Sequence, residues 1–288
     1  VTDTSNLFGA MEFSLKAPEA GVQPIIGCQI ALRREDRANP ANGGRVPDPD
    51  QLVLLVQDET GYANLIKLVS RAFLETDSGE TPQISLEDLE SLNGGLIALT
   101  GGPKGPVGRL LAEEQLDAAE AILKRLADIY PNRLYVELMR HGLEIETRIE
   151  PALLDLAYTH DLPLVATNEA FFADAAMHQA GNALLCIADG RFLAEEDRRH
   201  LTPEHRFKTA PEMRALFADL PEAADNTLVI ARRCAWFPSP RDPMLPSFPV
   251  PETQNEADAL RGLAEEGRNR GQGYLGRIQL FWCPGFCR

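Results

Sequence analysis

Long apolar runs are missing from this chain. None reaches the roughly 18 residues that a membrane-spanning helix needs, and the first residues are neither basic nor followed by a signal-type apolar stretch. No membrane span is expected, and a cytoplasmic protein is the default. Positive charge is scarce as well: 28 Lys and Arg stand against 43 Asp and Glu, for a formal net charge of -15. Affinity for phosphate backbones comes largely from clustered Lys and Arg, so any DNA contact has to be supplied from elsewhere. The five cysteines (Cys28, Cys186, Cys234, Cys283, Cys287) include no Cys-x-x-Cys unit. Neither a disulfide framework nor a structural zinc site is indicated, and reduced thiols are expected. Gly-x-Ser-x-Gly, Walker and Gly-x-Gly-x-x-Gly patterns are absent too. Gly101-Gly102-Pro103-Lys104-Gly105 follows a strand, but its proline and its lack of Ser or Thr point to a turn before a helix at Val107 rather than a phosphate cradle.

What is present is an ordinary globular composition, 44% hydrophobic and 25% charged over 288 residues, enough for one large α/β domain or two smaller ones. Strand and helix patterns alternate. Val22–Leu32, Gln51–Val56, Gly95–Thr100, Arg133–Met139 and Pro163–Thr167 read as strands; Thr60–Leu74, Glu113–Ile129 and Glu146–His160 read as amphipathic helices. Such alternation implies parallel βαβ units in a helix-covered sheet or barrel, with working groups at the C-terminal ends of the strands. Arg34–Asp50 and Glu75–Pro82 read as exposed loops, and Ala173–Ile187 as helical. Thr209, Pro211 and Glu212 mark a helix start running to about Asp219, and Pro221–Cys234 forms a further helix.

Four segments follow from this reading: an α/β domain over 1–236, a proline-rich connection over 237–251, a helix start over 252–267 and an aberrant tail over 268–288. The tail has no acidic residue and crowds Trp282, Cys283 and Cys287 into its last positions, and the helical pattern of Glu256–Glu266 lapses at Gly267. It is expected to be unstructured and without an evolved role.

The strand ends carry a resemblance. Thr2-Asp3-Thr4-Ser5-Asn6-Leu7-Phe8-Gly9, Pro24-Ile25-Ile26-Gly27, Glu59 to Leu65 with Leu68-Val69-Ser70, Gly94-Gly95-Leu96-Ile97, Ala166-Thr167-Asn168, and Leu216-Phe217-Ala218-Asp219 running into Asn226-Thr227 resemble the polymerase and histidinol phosphatase (PHP) domain of the bacterial DNA polymerase III alpha subunit. The match spans about Val1 to Glu266 in the family's order. It implies a distorted (β/α)7-like barrel, here without the first strand and helix that bear the family's His-x-His motif. An open sheet edge at Val1–Thr4 is then expected to weaken folding of the isolated chain. The polymerase palm, with the carboxylates that hold magnesium, is likewise expected to lie outside this sequence, so no polymerase catalytic residue is assigned.

In metal-binding members of the family, clustered His, Asp and Glu hold cations that hydrolyse phosphoesters. The resemblance maps those positions onto Thr4, Gln29, Gln51, His141, Glu169 and Phe171. Only His141 and Glu169 keep a metal-binding group, too few for a tight site, and Phe171 is expected to be buried in the space a metal needs. No bound metal or other cofactor is expected. Asp3 is as suited to capping the turn at Ser5-Asn6, and Glu137 to hydrogen-bonding a loop, as to holding metal. His160, His178, His200 and His205 read as ordinary structural histidines. The implied function is a non-catalytic domain that stabilises the polymerase alpha subunit, docks the proofreading exonuclease subunit and meets DNA only through the parent enzyme. The competing reading is a metal-dependent phosphoesterase or exonuclease, which the vacated ligand positions disfavour.

Overall fold

A computed structural model describes residues 1–34, 47–195, 201–240, 242, 249–251 and 255–274. One compact unit spans Val1–Pro240. Its sheet has six strands in chain order: β1 Thr2–Thr4, β2 Gly27–Leu32, β3 Asp50–Val56, β4 Leu96–Leu99, β5 Leu134–Met139 and β6 Leu164–Thr167. Helix α1 (Ala10–Glu19) follows β1, α2 (Glu59–Leu74) and α3 (Leu86–Leu92) follow β3, α4 (Pro106–Ala112) and α5 (Leu116–Ile129) follow β4, and α6 (Glu144–Thr159) follows β5. After β6 come α7 (His178–Asp189), α8 (Ala210–Leu216) and α9 (Pro221–Arg233).

A second unit, Arg241–Arg288, contains α10 (Glu256–Tyr274). This helix runs through Gly267, correcting the expected lapse there. One interior glycine costs a helix only about 1 kcal/mol, and the residues beside it are helix-compatible. Much of the proline-rich run, the tail beyond Tyr274 with Trp282, Cys283 and Cys287, most of the Arg34–Asp50 loop, and His200 lie outside the described residues.

Local chemistry sets the helix starts. The Asp58 carboxylate accepts the Gly61 N–H at 2.9 Å and caps α2, whose Leu65, Leu68 and Ala72 turn inward. The unforeseen α3 opens on a capping box in which Ser85 and Asp88 bond each other's backbone N–H. Helix α5 starts at Leu116 rather than Glu113 because Glu114 has a left-handed φ of 61° that no helix interior accepts.

The sheet is mixed, which corrects the expectation of parallel units alone. β1 and β2 are parallel, as are β4, β5 and β6, whereas β3 runs antiparallel to both of its neighbours. No helix lies in the described part of the β2–β3 connection, residues 33–34 and 47–49. After α2 the chain passes Leu32, where Ile84 forms a bridge, and α3 then returns it to the far end of β3, where Leu96 pairs with Val56.

Side chains alternate across this sheet. Leu52, Leu54, Val56, Leu96, Ala98, Leu134, Val136, Leu138, Leu164 and Ala166 join the large core under α2 to α6. Val53, Leu55, Ile97, Leu99, Tyr135 and Val165 face the other way, toward Ile230 and Cys234 at the end of α9. Burial on both faces explains the unbroken apolar strand runs. Leu54, fully buried at the centre of β3, is therefore a sensitive point. Leu54→Ala should cost about 2–5 kcal/mol, read as a lower urea midpoint with an unchanged m-value.

Candidate functional site

Reversal of β3 brings its first residues to the end of the sheet where β1, β2, β4, β5 and β6 finish. Gln51 pairs with Ala31, two residues beyond Gln29, and Gln29 pairs with Thr4. The β4–α4 turn closes over this rim. Gly101 has a φ of +82°, and a Cβ there would lie 1.9 Å from the Gln51 carbonyl oxygen, so only glycine fits. That turn presents Lys104 to the cleft.

The polar groups at the rim bond one another. Thr4 Oγ1 donates to Gln29 Oε1 at 2.8 Å, and Gln29 Nε2 donates to Glu169 Oε1 at 3.4 Å. Lys104 Nζ meets both Glu169 oxygens, at 3.2 and 3.4 Å. The Glu169 backbone N–H donates to His141 Nε2 at 3.2 Å, while His141 Nδ1 lies 2.7 Å from Glu146 Oε1. With Nε2 accepting from the Glu169 N–H, Nδ1 is the ring nitrogen that faces the Glu146 carboxylate. The Nε2 lone pair, the one a metal would need, is already engaged. A cavity of about 170 Å³ lies beside the network, lined in part by Gln29, Lys104, Leu143, Phe171, Leu185 and Leu201.

Buried charge is handled by pairing. Burial alone would raise the Glu146 carboxyl, but bonds from the His141 ring, the His141 N–H and the Leu143 N–H hold it below its ordinary value. His205 stacks on His141 with ring centroids 4.0 Å apart. Burial first, then the neighbouring imidazole, pushes His205 down to about 4. On the second face of the sheet, burial lifts Glu137 to about 7 against the opposing effect of the Gly101 N–H, which it accepts at 2.9 Å.

The structure thus joins Thr4, Gln29, Glu169 and His141 through hydrogen bonds. Gln51 takes no part: its Oε1 is buried and has no partner among the described residues. Phe171 is 51% exposed rather than buried, because its N–H is tied to the His205 carbonyl and its ring leans on His205 by one side only. Asn6, not Asp3, caps the first turn, bonding the Thr4 carbonyl and the Phe8 N–H. His178 is held by the Leu201 carbonyl and Asn182, and His160 has a distant acidic partner in Glu120, 3.0 Å away. Sequence reasoning missed Lys104, Glu146 and His205 as members of the cleft. Only the Gly-Gly-Pro-Lys-Gly turn and the glutamate opening α6 gave a local signal.

The chain is similar to known proteins. Residues 1–141 match the PHP domain family. That match covers 141 of the chain's 288 residues. A DNA polymerase III alpha subunit of Caulobacter vibrioides is 48% identical over 93% of this chain. Counterparts from Rickettsia bellii and Thermus aquaticus are 37% and 38% identical over 93% and 91% of it. The chain spans 23% of the Caulobacter protein's length and 22% of each of the other two.

The metal cluster implied by the PHP family does not fit the residues present. Among the described residues no group of three or more His, Cys, Asp or Glu side chains is placed to hold a metal ion. The two candidates that remain, His141 and Glu169, spend their lone pairs on neighbours. Among the same residues no helix is long and apolar enough to cross a membrane.

Two pH effects of opposite sign follow. Unfolded, His205 takes up a proton as pH falls through 6.5; folded, it resists until about 4. The unfolded state binds the extra proton in that window, so this contribution is lost as pH falls from 6.5 toward 4. Glu137, raised from 4.5 to about 7, holds its proton when folded, and its contribution is lost as pH rises through that range. Urea midpoints should show the wild type losing ground to His205→Phe on acidification below 6.5, and to Glu137→Gln as pH rises from 4.5 to 7.

Proposed function

We propose that this chain is the PHP region of a DNA polymerase III alpha subunit, active in DNA replication, and that the domain is structural rather than catalytic. In this reading the sheet belongs to a PHP-type distorted barrel that stabilises the polymerase in the cytoplasm and docks the proofreading exonuclease subunit. DNA is met only through the rest of the enzyme, whose palm would hold magnesium. Similarity to polymerase alpha subunits over 93% of the chain supports the placement. The observation that carries the non-catalytic reading is the closed network at the rim, in which Thr4, Gln29, Glu169 and His141 bond one another and Lys104. A phosphoesterase of this class needs cations that activate water and neutralise the phosphoryl group, and this donor set offers one carboxylate already matched by an ammonium.

Elemental analysis of the purified chain is the direct test, paired with hydrolysis of bis-p-nitrophenyl phosphate in added manganese or zinc. Metal well below one equivalent per chain and no hydrolysis above buffer are expected. One or more ions per chain, lost in His141→Ala or Glu169→Ala, would restore the hydrolase. Docking is checked separately: the exonuclease subunit of the same organism should co-elute with the chain in gel filtration, and separate elution would remove that partner.

A further inference from the structure

We infer that Lys104 is the cleft's resident cation, an ammonium that takes over the electrostatic task of a divalent metal and keeps such metals out. The inference rests on the structural reading above and adds the residue that makes it work. Among the mapped positions Glu169 is the one carboxylate, and its side chain is only 22% exposed. A carboxylate in that setting needs a cation or several hydrogen bonds. Lys104 Nζ supplies the cation, lying within 3.4 Å of both Glu169 oxygens, and Gln29 Nε2 supplies a hydrogen bond at 3.4 Å.

The ammonium is delivered by a turn whose glycines hold its backbone. Gly101 and Gly102 both hold positive φ, and Gly105 packs so closely that a Cβ would lie 1.7 Å from the Thr100 carbonyl oxygen. The turn's course is therefore fixed by backbone contact, and Lys104 projects over the ends of β2 and β6. Through Glu169 and Gln29 it ties the β4–α4 turn to three strands, reaching Thr4 of β1. A metal entering the same space would meet a like charge at contact distance and find the Glu169 oxygens occupied. Lys104 itself is 55% exposed, so its contribution to stability is modest while its effect on a second cation is not.

The test uses the full chain and Lys104→Met, which keeps the stem and removes the charge. In EDTA, Lys104→Met should lower the melting temperature by about 2 °C, and adding Glu169→Gln to it should cost nothing further, as expected of a coupled pair. By equilibrium dialysis against manganese alone, Lys104→Met should bind the ion about tenfold more tightly than the wild type, the effect of removing one like charge about 4 Å away in a solvated cleft. Additive losses in the double variant, or equal manganese affinity in wild type and Lys104→Met, would overturn the inference. Should Lys104→Met fail to fold, Lys104→Arg carries the test. It should keep the wild-type melting temperature and bind no more manganese than the wild type, and tighter binding by it would equally overturn the inference. Metal held tightly by the wild type would instead defeat the structural reading itself, so the two failures are distinguishable.

Discussion

A sheet packed on both faces leaves polar chemistry nowhere to go but its rim. Apolar even-numbered side chains of β3 to β6 join the core under α2 to α6, and Val53, Leu55, Ile97, Leu99, Tyr135 and Val165 pack with the end of α9, so a charge placed mid-strand has to be neutral or fully bonded. Glu137 shows the rule at work: inside β5 it accepts the Gly101 N–H, and burial lifts it to about 7. The groups with freedom to act sit one or two residues past the strand ends, as His141 and Glu169 do, or in the turn that carries Lys104.

At that rim Thr4, Gln29, Glu169, His141 and Lys104 bond one another, while Gln51 stands outside the network. A metal centre needs lone pairs converging on one point with nothing else attached to them. Here the lone pairs point at neighbours: Glu169 at Lys104 and Gln29, Gln29 at Thr4, His141 at the Glu169 backbone. Such a network joins β1, β2 and the segment after β6 to the β4–α4 turn. The stacked His141–His205 pair extends the tie to the segment around Thr202, whose hydroxyl donates to the His141 carbonyl at 2.7 Å.

Much of the fold was legible in the residues because local patterns carry it. Apolar periodicity marked the five longer strands and α2, α5 and α6 to within a few residues, and Thr209 with Glu212 marked α8 by its capping chemistry. Short elements without strong periodicity were harder. Helix α3 has seven residues and declares itself only through Ser85 and Asp88. The direction of β3 was not legible at all, since strand periodicity is the same in either sense.

The sequence by itself determined the apolar strands, their two-faced burial, the glycine turn at 101–105 and the scarcity of metal-binding side chains at the mapped positions, because each depends on residue type or on neighbours a few positions apart. Tertiary structure alone decided which polar groups meet. His205 lies 64 residues from His141 and Lys104 lies 65 from Glu169, separations that no local pattern reports. Only the reversal of β3 and the return of the chain after β6 close those distances, and with them decide which side chains bond one another at the rim.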